Sequence, residues 1–401
     1  MKVLFLTMVK INSFSDRGIY TDLLRKFYEE GHDVYAVCPV ERREKKKTEI
    51  RKEKQGTLLN VQTLNLQKTN IVEKGFGTLA MEYQFLAAIK KHFSDVKFDV
   101  VIYSTPPITF SKVINFIKKR DNAYSYLLLK DIFPQNAIDM KMLKKNGILH
   151  KMFVKKEQKL YAISDTIGCM SEANKKFIIQ HNPTINPEKV EINPNTIEPF
   201  IFNQSLEQKQ AIKVKYNLPL DKKIFVYGGN LGKPQGIDFL LDTIADAINE
   251  AVFFLIVGTG TEYNRVLKWF QSFKPKNAIL LAGLPKQDYD LLLNACDVGL
   301  IFLHKDFTIP NFPSRLLSYL EMKMPVIVAT DANSDIGDVV ESNHCGYKVI
   351  SGDNIKMKTA INKLLSNEED YNKMKENAWN LLQKDYLVSR SYSLIKAKIN
   401  V

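Results

Sequence analysis

Short apolar runs alternate with amphipathic stretches over most of the chain. In the first half, residues 2–9 and 98–103 are apolar runs bounded by turn residues, as is typical of buried strands. Residues 19–30 and 111–119 instead show the three-to-four-residue spacing of helices. Strands that alternate with helices in this way predict βαβ units and a mainly parallel sheet.

The same pattern restarts in the second half of the chain. Residues 183–217 are rich in Asn, Pro, Gln and Lys and have weak periodicity, which predicts a linker and a domain boundary. Further predicted strands follow at residues 222–227, 251–257, 278–281, 298–302 and 326–329. We therefore predict two doubly wound α/β domains, residues 1–200 and 201–381, which face each other across a ligand-binding cleft.

The sharpest motif is a glycine-rich turn at residues 226–236, with the sequence VYGGNLGKPQG. It lies between a predicted strand and a predicted helix, where glycines allow close approach of a ligand and free N–H groups favour a diphosphate. Lys233 adds a full positive charge. A plain strand-to-helix turn remains the alternative, and the spacing does not match the GxGxxG of a dinucleotide site.

Two further glycine turns follow later strands, at residues 256–261 and 281–285. Because the carboxyl ends of parallel strands share one edge of a sheet, all three turns are expected at the same rim. At residues 309–327, Pro313 fits the first turn of a helix, which places Ser314 and Arg315 where an anion would meet the helix N-terminus. The alternative is a surface arginine on a capped helix.

The first half offers two candidate positions at the ends of strands. Arg17 and Gly18 precede the first predicted helix, and Asp131 follows the strand at residues 124–129. We expect Asp131 to act as a base or to hold a sugar hydroxyl, with helix capping or a local ion pair as the alternative. The histidines show no metal-ligand spacing, and the DxD string at residues 288–290 falls in a predicted first helical turn, so no metal is expected.

Charge divides unevenly between the two halves. The chain carries a net charge of +13, with 33 basic and 22 acidic residues in positions 1–200 but 24 and 22 in positions 201–401. Such an excess favours nucleic acid, an anionic membrane surface or a phosphorylated substrate. No nucleic-acid motif accompanies it. Residues 141–145 and 151–156 mix lysines with large apolar side chains and predict contact with anionic lipid, unless they form an ordinary solvated helix face.

The ends of the chain and its cysteines predict a cytoplasmic protein. No apolar run is long enough to span a bilayer, and the apolar N-terminus is better explained as a buried strand than as a signal peptide. The four cysteines are scattered without a CxxC pair, so neither a metal site nor a disulfide framework is expected.

These motifs together resemble a known family. Gly31-His32-Asp33-Val34, the glycine turn at 228–236, the turn at 258–260 and the Pro-Val-Ile strand at 325–327 resemble glycosyltransferases of family 4, which have the GT-B fold. Residues 105–109 and 130–134 resemble the branch that contains bacterial fucosamine transferases of capsule and O-antigen synthesis.

The resemblance implies a retaining, hexosyltransferase-type enzyme without a cofactor. It implies a nucleotide-sugar donor, here UDP-linked, bound by the second domain, and a polyprenyl-diphosphate-linked sugar bound by the first. The transferred sugar would be an N-acetylated amino sugar such as N-acetylfucosamine. The enzyme would work at the inner face of the cell membrane, and its last helix, residues 382–401, would cross back to the first domain.

By position, the resemblance assigns a role to most candidate residues. Asp131, Lys233 and Arg315 are the expected catalytic residues. The residues expected to bind substrates are Arg17, Gly18, Gly229, Asn230, Gly232, Gly258, Leu284, Ser314, Ser318 and Glu321.

One departure from the family is clear. The family commonly carries two glutamates that fall here at Pro310 and Ser318. Glu321, nearly one helical turn later, is the candidate substitute. The rival interpretations are a UDP-sugar 2-epimerase of the same architecture and a catalytically inactive structural member of the fold.

Overall fold

A computed structural model describes residues 1–65, 71–247 and 251–399 of the 401-residue chain. The chain divides into two compact units. Unit 1 comprises Met1–Glu198 together with Leu387–Val401, and unit 2 comprises Pro199–Tyr386. These bounds lie close to the predicted limits of 1–200 with 382–401, and of 201–381.

Strands and helices alternate along both units. Those of unit 1 before the boundary are β1 (Lys2–Leu6), α1 (Ile19–Glu29), β2 (Asp33–Glu41), β3 (Glu49–Glu53), β4 (Gly56–Thr63), α2 (Ile71–His92), β5 (Val100–Ser104), α3 (Ser111–Asp121), β6 (Tyr124–Leu129), α4 (Gln135–Asp139), α5 (Ile148–Ile163), β7 (Thr166–Cys169), α6 (Glu172–His181) and β8 (Val190–Ile192). Those of unit 2 are α7 (Leu206–Lys215), β9 (Lys223–Asn230), α8 (Ile237–Asp246), β10 (Val252–Thr259), α9 (Tyr263–Phe273), β11 (Ala278–Leu281), α10 (Lys286–Asn294), β12 (Val298–Phe302), α11 (Arg315–Glu321), β13 (Val326–Thr330), α12 (Ile336–Ser342), β14 (Gly346–Ile350), α13 (Asn354–Ser366) and α14 (Glu368–Asp385). The last helix, α15 (Val388–Ile399), belongs to unit 1.

Unit 1 is built on an eight-stranded sheet in the order β3-β4-β2-β1-β5-β6-β7-β8. Its strands pair in parallel except at the edge, where β3 runs antiparallel to β4. The central strands β1 and β5 are almost wholly buried, because helices cover both faces of a parallel sheet. Their continuous apolar runs are therefore the natural sequence for this position.

Unit 2 is built on a six-stranded sheet in the order β11-β10-β9-β12-β13-β14, and all of its strand pairs are parallel. The predicted strands at 278–281 and 298–302 match β11 and β12 residue for residue. Both units thus have the doubly wound α/β architecture that the hydrophobic pattern predicts.

The predicted linker at residues 183–217 is wrong in part. It contains β8, the last strand of the first sheet, and α7, the first helix of unit 2. The three residues of β8 are too few to show an alternating pattern, and α7 has no fully buried residue, so neither has the periodicity of a core element.

The charged sequence of residues 41–54 did not predict a strand, but the structure has one there. Strand β3 has the sequence EIRKE and lies at the edge of the sheet, where charged residues discourage pairing with another chain. Within the described ranges, every helix is too short or too polar to cross a lipid bilayer.

The C-terminal residues form two helices, α14 and α15, and the last of them begins at Val388 rather than at the predicted residue 382. Helix α15 packs against α1 of unit 1. Its Ser391 hydroxyl donates a hydrogen bond of 2.7 Å to Oδ1 of Asn193, and its Tyr392 ring packs edge-on against Phe27 at 5.0 Å. Buried contacts with residues far away in sequence thus hold the end of the chain in unit 1.

We predict that Ser391→Ala lowers the free energy of unfolding by about 1–2 kcal/mol, because it leaves the buried Asn193 oxygen without its hydroxyl donor. Ser393→Ala, in the same helix but exposed, is the matched control and should change stability by less than about 0.5 kcal/mol. Urea unfolding followed by circular dichroism measures both. Equal stability of the two variants would show that the Ser391–Asn193 bond does not anchor α15.

Candidate functional site

The chain order of the unit 2 strands reverses beside β9. Strand β9 pairs with β10 on one side and with β12 on the other, so successive connections leave in opposite directions. In doubly wound sheets, the crevice at the carboxyl ends of two such strands is the usual ligand position. The last residues of β9 are Gly228, Gly229 and Asn230, so the first part of the predicted glycine turn is the end of the strand, and residues 231–236 form the turn that leads into α8.

Gly229 and Arg315 lie against each other at this point. A Cβ atom added to Gly229 would lie 3.5 Å from Nη2 and 3.6 Å from Cζ of Arg315. Gly229 also has a φ of +126°, a conformation that residues with side chains rarely adopt. Two residues that are 86 positions apart, and that the sequence had marked separately, thus form one site.

The Arg315 guanidinium is held on two sides. Its Cζ lies 4.4 Å from the centre of the Tyr227 ring, and its Nη2 donates a hydrogen bond of 2.5 Å to Oε1 of Gln235. Its Nη1 is buried without a hydrogen-bond partner among the described residues. A buried cationic donor that has no protein partner is a group that a bound anion satisfies.

Two tyrosines shape the floor beneath Gly228. The Gly228 N–H donates to the Tyr319 hydroxyl at 3.3 Å, and that hydroxyl lies 3.1 Å from the Leu300 carbonyl. A Cβ on Gly228 would lie only 1.8 Å from the Tyr289 oxygen, so glycine is required here by close packing.

The DxD string at 288–290 is thereby explained without a metal. Tyr289 packs on Gly228, and the buried Asp290 carboxylate accepts hydrogen bonds of 2.5 and 2.7 Å from Lys286 Nζ. Among the described residues, no group of His, Cys, Asp and Glu could hold a metal ion.

Other predicted residues of unit 2 lie at the same edge of the sheet. Lys233 is exposed in the short turn after β9 and forms no ion pair with the described residues. The Asn230 side chain lies beside Gly232, where an added Cβ would lie 2.8 Å from Nδ2. Leu284 is half-buried in the loop after β11, and Ser314 is exposed directly before α11.

Gly258 has a packing role. It pairs with Gly229 across β10 and β9, and a Cβ at this position would lie 1.9 Å from the Gly229 carbonyl oxygen. The residue lets the two strands approach closely.

Glu321, the candidate substitute for the missing family glutamates, has a backbone partner among the described residues. Its buried Oε1 accepts a hydrogen bond of 2.8 Å from the backbone N–H of Phe200, at the start of unit 2. Ser318 is half-buried in the middle of α11. One oxygen of the Glu321 carboxylate therefore holds the backbone, and a substrate-binding role for Glu321 stays a prediction.

The sequence analysis did not identify the residues that support the loop between β12 and α11. The Asn311 N–H donates to the Ser334 hydroxyl at 2.9 Å, and that hydroxyl donates to Oδ2 of the buried Asp331 at 2.8 Å. Gln235 was equally missed, although it fixes Arg315. Single Asn, Ser and Gln residues in loops carry no pattern that would have identified them.

Unit 1 fixes Asp131 at the carboxyl edge of its own sheet. The Thr105 hydroxyl donates to the Asp131 carbonyl at 3.1 Å, and Nδ2 of Asn136 lies 2.8 Å from both carboxylate oxygens of Asp131. Burial raises the pKa of Asp131 to about 6. The carboxylate forms no ion pair with the described residues, and Pro134 rather than Asp131 precedes α4, which disfavours both alternatives considered for it.

Lys130, the neighbour of Asp131, is also withdrawn from solvent. Its Nζ donates to the Asn193 carbonyl at 3.3 Å, and burial lowers the pKa of Lys130 to about 7. Two adjacent residues whose pKa values move towards neutrality from opposite sides are typical of functional sites.

Arg17 and Gly18 lie in the loop before α1. The Gly18 N–H donates to Oδ1 of the buried Asp22 at 3.1 Å, and Oδ2 of Asp22 accepts the Glu198 N–H at 3.0 Å. Arg17 is half-buried. Asp22 thus links the loop at the start of α1 to the backbone at Glu198.

The sequence matches a known family over most of unit 2. Residues 208–380 match the family model described as glycosyl transferases group 1. Over these residues the chain is similar to group 1 glycosyltransferases. The matched residues include β9, α11, Gly229 and Arg315.

Two relatives bear glycosyltransferase names. The chain is 23% identical over 308 residues to WbjE of Pseudomonas aeruginosa, named as a glycosyltransferase, covering 74% of this chain and 73% of that protein. It is 27% identical over 135 residues to WcaI of Escherichia coli, named as a colanic acid biosynthesis glycosyl transferase, covering 33% of this chain and 32% of that protein.

Solved structures of similar fold cover the whole chain. Sucrose-phosphate synthase from Thermosynechococcus elongatus superposes with a TM-score of 0.74 at 14% identity, covering 100% of this chain and 98% of that one. Anabaena HepE in complex with UDP-glucose gives a TM-score of 0.69 at 14% identity, covering 100% and 99%. The fold of the chain is GT-B, as the resemblance implied.

We predict that Asp131→Asn stabilises the protein relative to wild type at high pH but not at low pH. Because folding raises the pKa of Asp131 from 3.8 to about 6, wild-type stability falls as pH rises through this interval, and the asparagine variant avoids that loss. The difference should reach on the order of 1–2 kcal/mol above pH 6.

Urea unfolding at pH 4 and pH 7.5 checks this, with Asp95→Asn, an exposed aspartate of the same unit, as the control. A stability difference that is the same at both pH values would show that Asp131 is not buried as the contacts indicate.

Proposed function

We propose that the protein is a retaining glycosyltransferase that uses a UDP-sugar donor and a polyprenyl-diphosphate-linked sugar acceptor in bacterial surface-polysaccharide synthesis. The observation that carries the proposal is the position of the Arg315 guanidinium beside Gly229, 3.5 Å from where a Cβ of Gly229 would stand, within the residues that match the group 1 glycosyltransferase model. The crystallised HepE, of similar fold, binds UDP-glucose.

The chemistry of the donor half follows from charge. When the bond between sugar and phosphate breaks, negative charge grows on the leaving diphosphate, and preorganised donors there lower the barrier. Arg315 meets this requirement because Tyr227 and Gln235 hold it in place and its Nη1 has no hydrogen-bond partner in the part of the chain that the structure describes. Lys233, exposed in the turn after β9, adds a mobile charge.

The remaining candidates of unit 2 complete the donor half of the proposal. Asn230 and Gly232 join Gly229 at the diphosphate, Gly258 and Leu284 lie on the nucleoside side, and Ser314 and Ser318 lie near the phosphates or the sugar.

The acceptor half of the proposal rests on unit 1. Asp131, with a pKa near 6, is suited to accept a proton from a sugar hydroxyl near neutral pH. Because the pKa of Lys130 is about 7, a large fraction of its amino groups is uncharged near neutral pH. Lys130 therefore adds little positive charge beside Asp131 at that pH. Arg17 and Gly18, at the carboxyl edge of the same sheet, would hold the acceptor.

The finer identity of the sugar follows from the branch resemblance. The relative WcaI is named for colanic acid biosynthesis, a polysaccharide, which supports surface-polysaccharide synthesis as the setting. We propose an N-acetylated amino sugar such as N-acetylfucosamine as the transferred unit. Pro310 and Ser318, in place of two glutamates, would leave room for a donor sugar that differs from those of better-known members.

Contact with the membrane is proposed for the region of α4 and α5. Ile148 is 89% exposed and Leu149 is 57% exposed at the start of α5, and Met142 is 67% exposed just before it. Exposed lysines flank these apolar residues in the sequence: Lys141, Lys144, Lys145, Lys151 and Lys155. Apolar side chains flanked by lysines favour an anionic bilayer surface, where the lipid-linked acceptor would be found.

The proposed activity is tested with a panel of UDP- and GDP-sugars and a lipid-diphosphate-sugar acceptor, with products identified by mass spectrometry. We expect acceptor-dependent release of UDP and an acceptor that is heavier by one sugar residue. Conversion of a UDP-sugar into its 2-epimer without acceptor would replace this proposal with the epimerase alternative.

We predict that Arg315→Ala lowers turnover at saturating donor by roughly 100–1,000-fold, because a preorganised charge on the leaving diphosphate is lost. Arg315→Lys should recover only part of this, since lysine lacks the planar fork. Arg265→Ala removes an exposed arginine from the same unit and should leave turnover unchanged. Steady-state kinetics at saturating donor measures all three, and an unchanged rate in Arg315→Ala would remove Arg315 from the reaction.

We predict that the pair Ile148→Glu and Leu149→Glu reduces binding to anionic vesicles at least tenfold, because carboxylates replace the inserted apolar side chains. Flotation with vesicles of phosphatidylglycerol and phosphatidylcholine measures the bound fraction. Ile355→Glu, which alters an 80%-exposed isoleucine in unit 2, is the control. No binding of the wild-type protein at low salt would contradict the membrane proposal.

A further inference from the structure

A second polar pocket lies within unit 2, away from the Gly229–Arg315 contact. Its volume is about 180 Å³. Its walls come from α7, from the turn between α10 and β12, from the turn between α11 and β13, and from α14. Both turns lead into the amino ends of their strands. The pocket is therefore at the opposite edge of the sheet from Gly229 and Arg315, which lie at the carboxyl ends.

The lining is strongly basic. Four lysines and one aspartate contribute to it: Lys209, Lys213, Lys323, Lys375 and Asp297. The single carboxylate is already engaged, because Oδ2 of Asp297 accepts the Ile224 N–H at 2.7 Å and lies 3.5 Å from Lys213 Nζ. Positive charge in the pocket therefore exceeds negative charge by three, a balance that favours an anionic ligand.

Lys209 is central to this excess. It is half-buried in α7, and its Nζ forms neither a hydrogen bond nor an ion pair with any described residue. Burial and the neighbouring charges of Lys375 and Lys213 lower the pKa of Lys209. An anion in the pocket would relieve this repulsion between like charges.

Size and polarity limit the occupant to a small molecule. One water requires about 10–15 Å³ on the same scale, so the pocket holds a group of several heavy atoms. It is smaller than the roughly 300–1,000 Å³ of sites for drug-sized ligands. Gln210 and Asn294 add polar contacts, whereas Met322 and Met324 add an apolar wall.

We propose that this pocket binds a small phosphorylated molecule, its phosphate or diphosphate group held by Lys209, Lys213 and Lys375. The site is separate from the proposed donor site and does not depend on it. Its wall includes the turn directly after α11, the seven-residue helix that begins with Arg315, so an occupant would contact the far end of that helix.

Inorganic diphosphate is the probe that tests this site. It is titrated at constant ionic strength into the full-length protein with ¹³C-labelled methionine methyl groups. Met322→Leu and Met324→Leu identify the two signals from the pocket wall. We expect both signals to shift and to saturate, in the wild type and equally in Arg315→Ala, in which the proposed donor site is impaired.

The pocket variant is the pair Lys209→Ala and Lys375→Ala, which should weaken the affinity for diphosphate about tenfold. The matched control is the pair Lys276→Ala and Lys356→Ala, which removes the same charge from exposed positions in unit 2. Circular dichroism confirms that both variants fold.

Three results would overturn the proposal. These are the absence of any saturable shift at Met322 and Met324, the same affinity in the pocket variant as in the control, and loss of the shift in Arg315→Ala alone. The last would show that diphosphate binds only at the Arg315 site. None of these readouts uses transferase activity, so failure of the pocket and failure of the proposed function are distinguishable.

Discussion

The close approach of β9 to β10 is the constraint on which the unit 2 site depends. Gly258 has no room for a side chain there, because a Cβ would lie 1.9 Å from the Gly229 carbonyl oxygen, and a Cβ on Gly228 would lie 1.8 Å from the Tyr289 oxygen. The Arg315 guanidinium lies beside them, 3.5 Å from the position that a Cβ of Gly229 would take, and Tyr227 and Gln235 hold it there. A larger residue at Gly258 or Gly228 would displace the strand or the tyrosine.

In unit 1, burial shifts the pKa values of two adjacent titratable residues. Asp131 and Lys130 follow β6, and withdrawal from water brings the pKa of the carboxyl up to about 6 and that of the ammonium down to about 7. Thr105 and Asn136 fix the aspartate by neutral hydrogen bonds, so no opposite charge restores its ordinary pKa. The two units thus prepare charge differently, one by placing a permanent cation and the other by perturbing titratable groups.

Much of the fold could be predicted from the sequence, because buried parallel strands are continuous apolar runs. Strands β11 and β12 have the predicted bounds. Elements without a buried apolar pattern escaped, namely β3, which is charged because it is an edge strand, and β8 and α7 within the predicted linker. Of the candidate site, the glycines and Arg315 were found because strand ends and helix starts leave recognisable motifs. Gln235, Asp331 and Ser334 were not, since single polar residues in loops have no periodicity.

The sequence by itself determined the two doubly wound domains, the basic first half and the strand ends at which ligands are expected, because these depend on local periodicity and composition. Only the tertiary structure decided which side chains meet. In the structure Arg315 lies beside Gly229, Glu321 accepts a hydrogen bond from the Phe200 backbone, and lysines of α7 and α14 line one pocket. Such contacts link residues tens to more than a hundred positions apart, and a one-dimensional pattern contains no information about distances that folding alone creates.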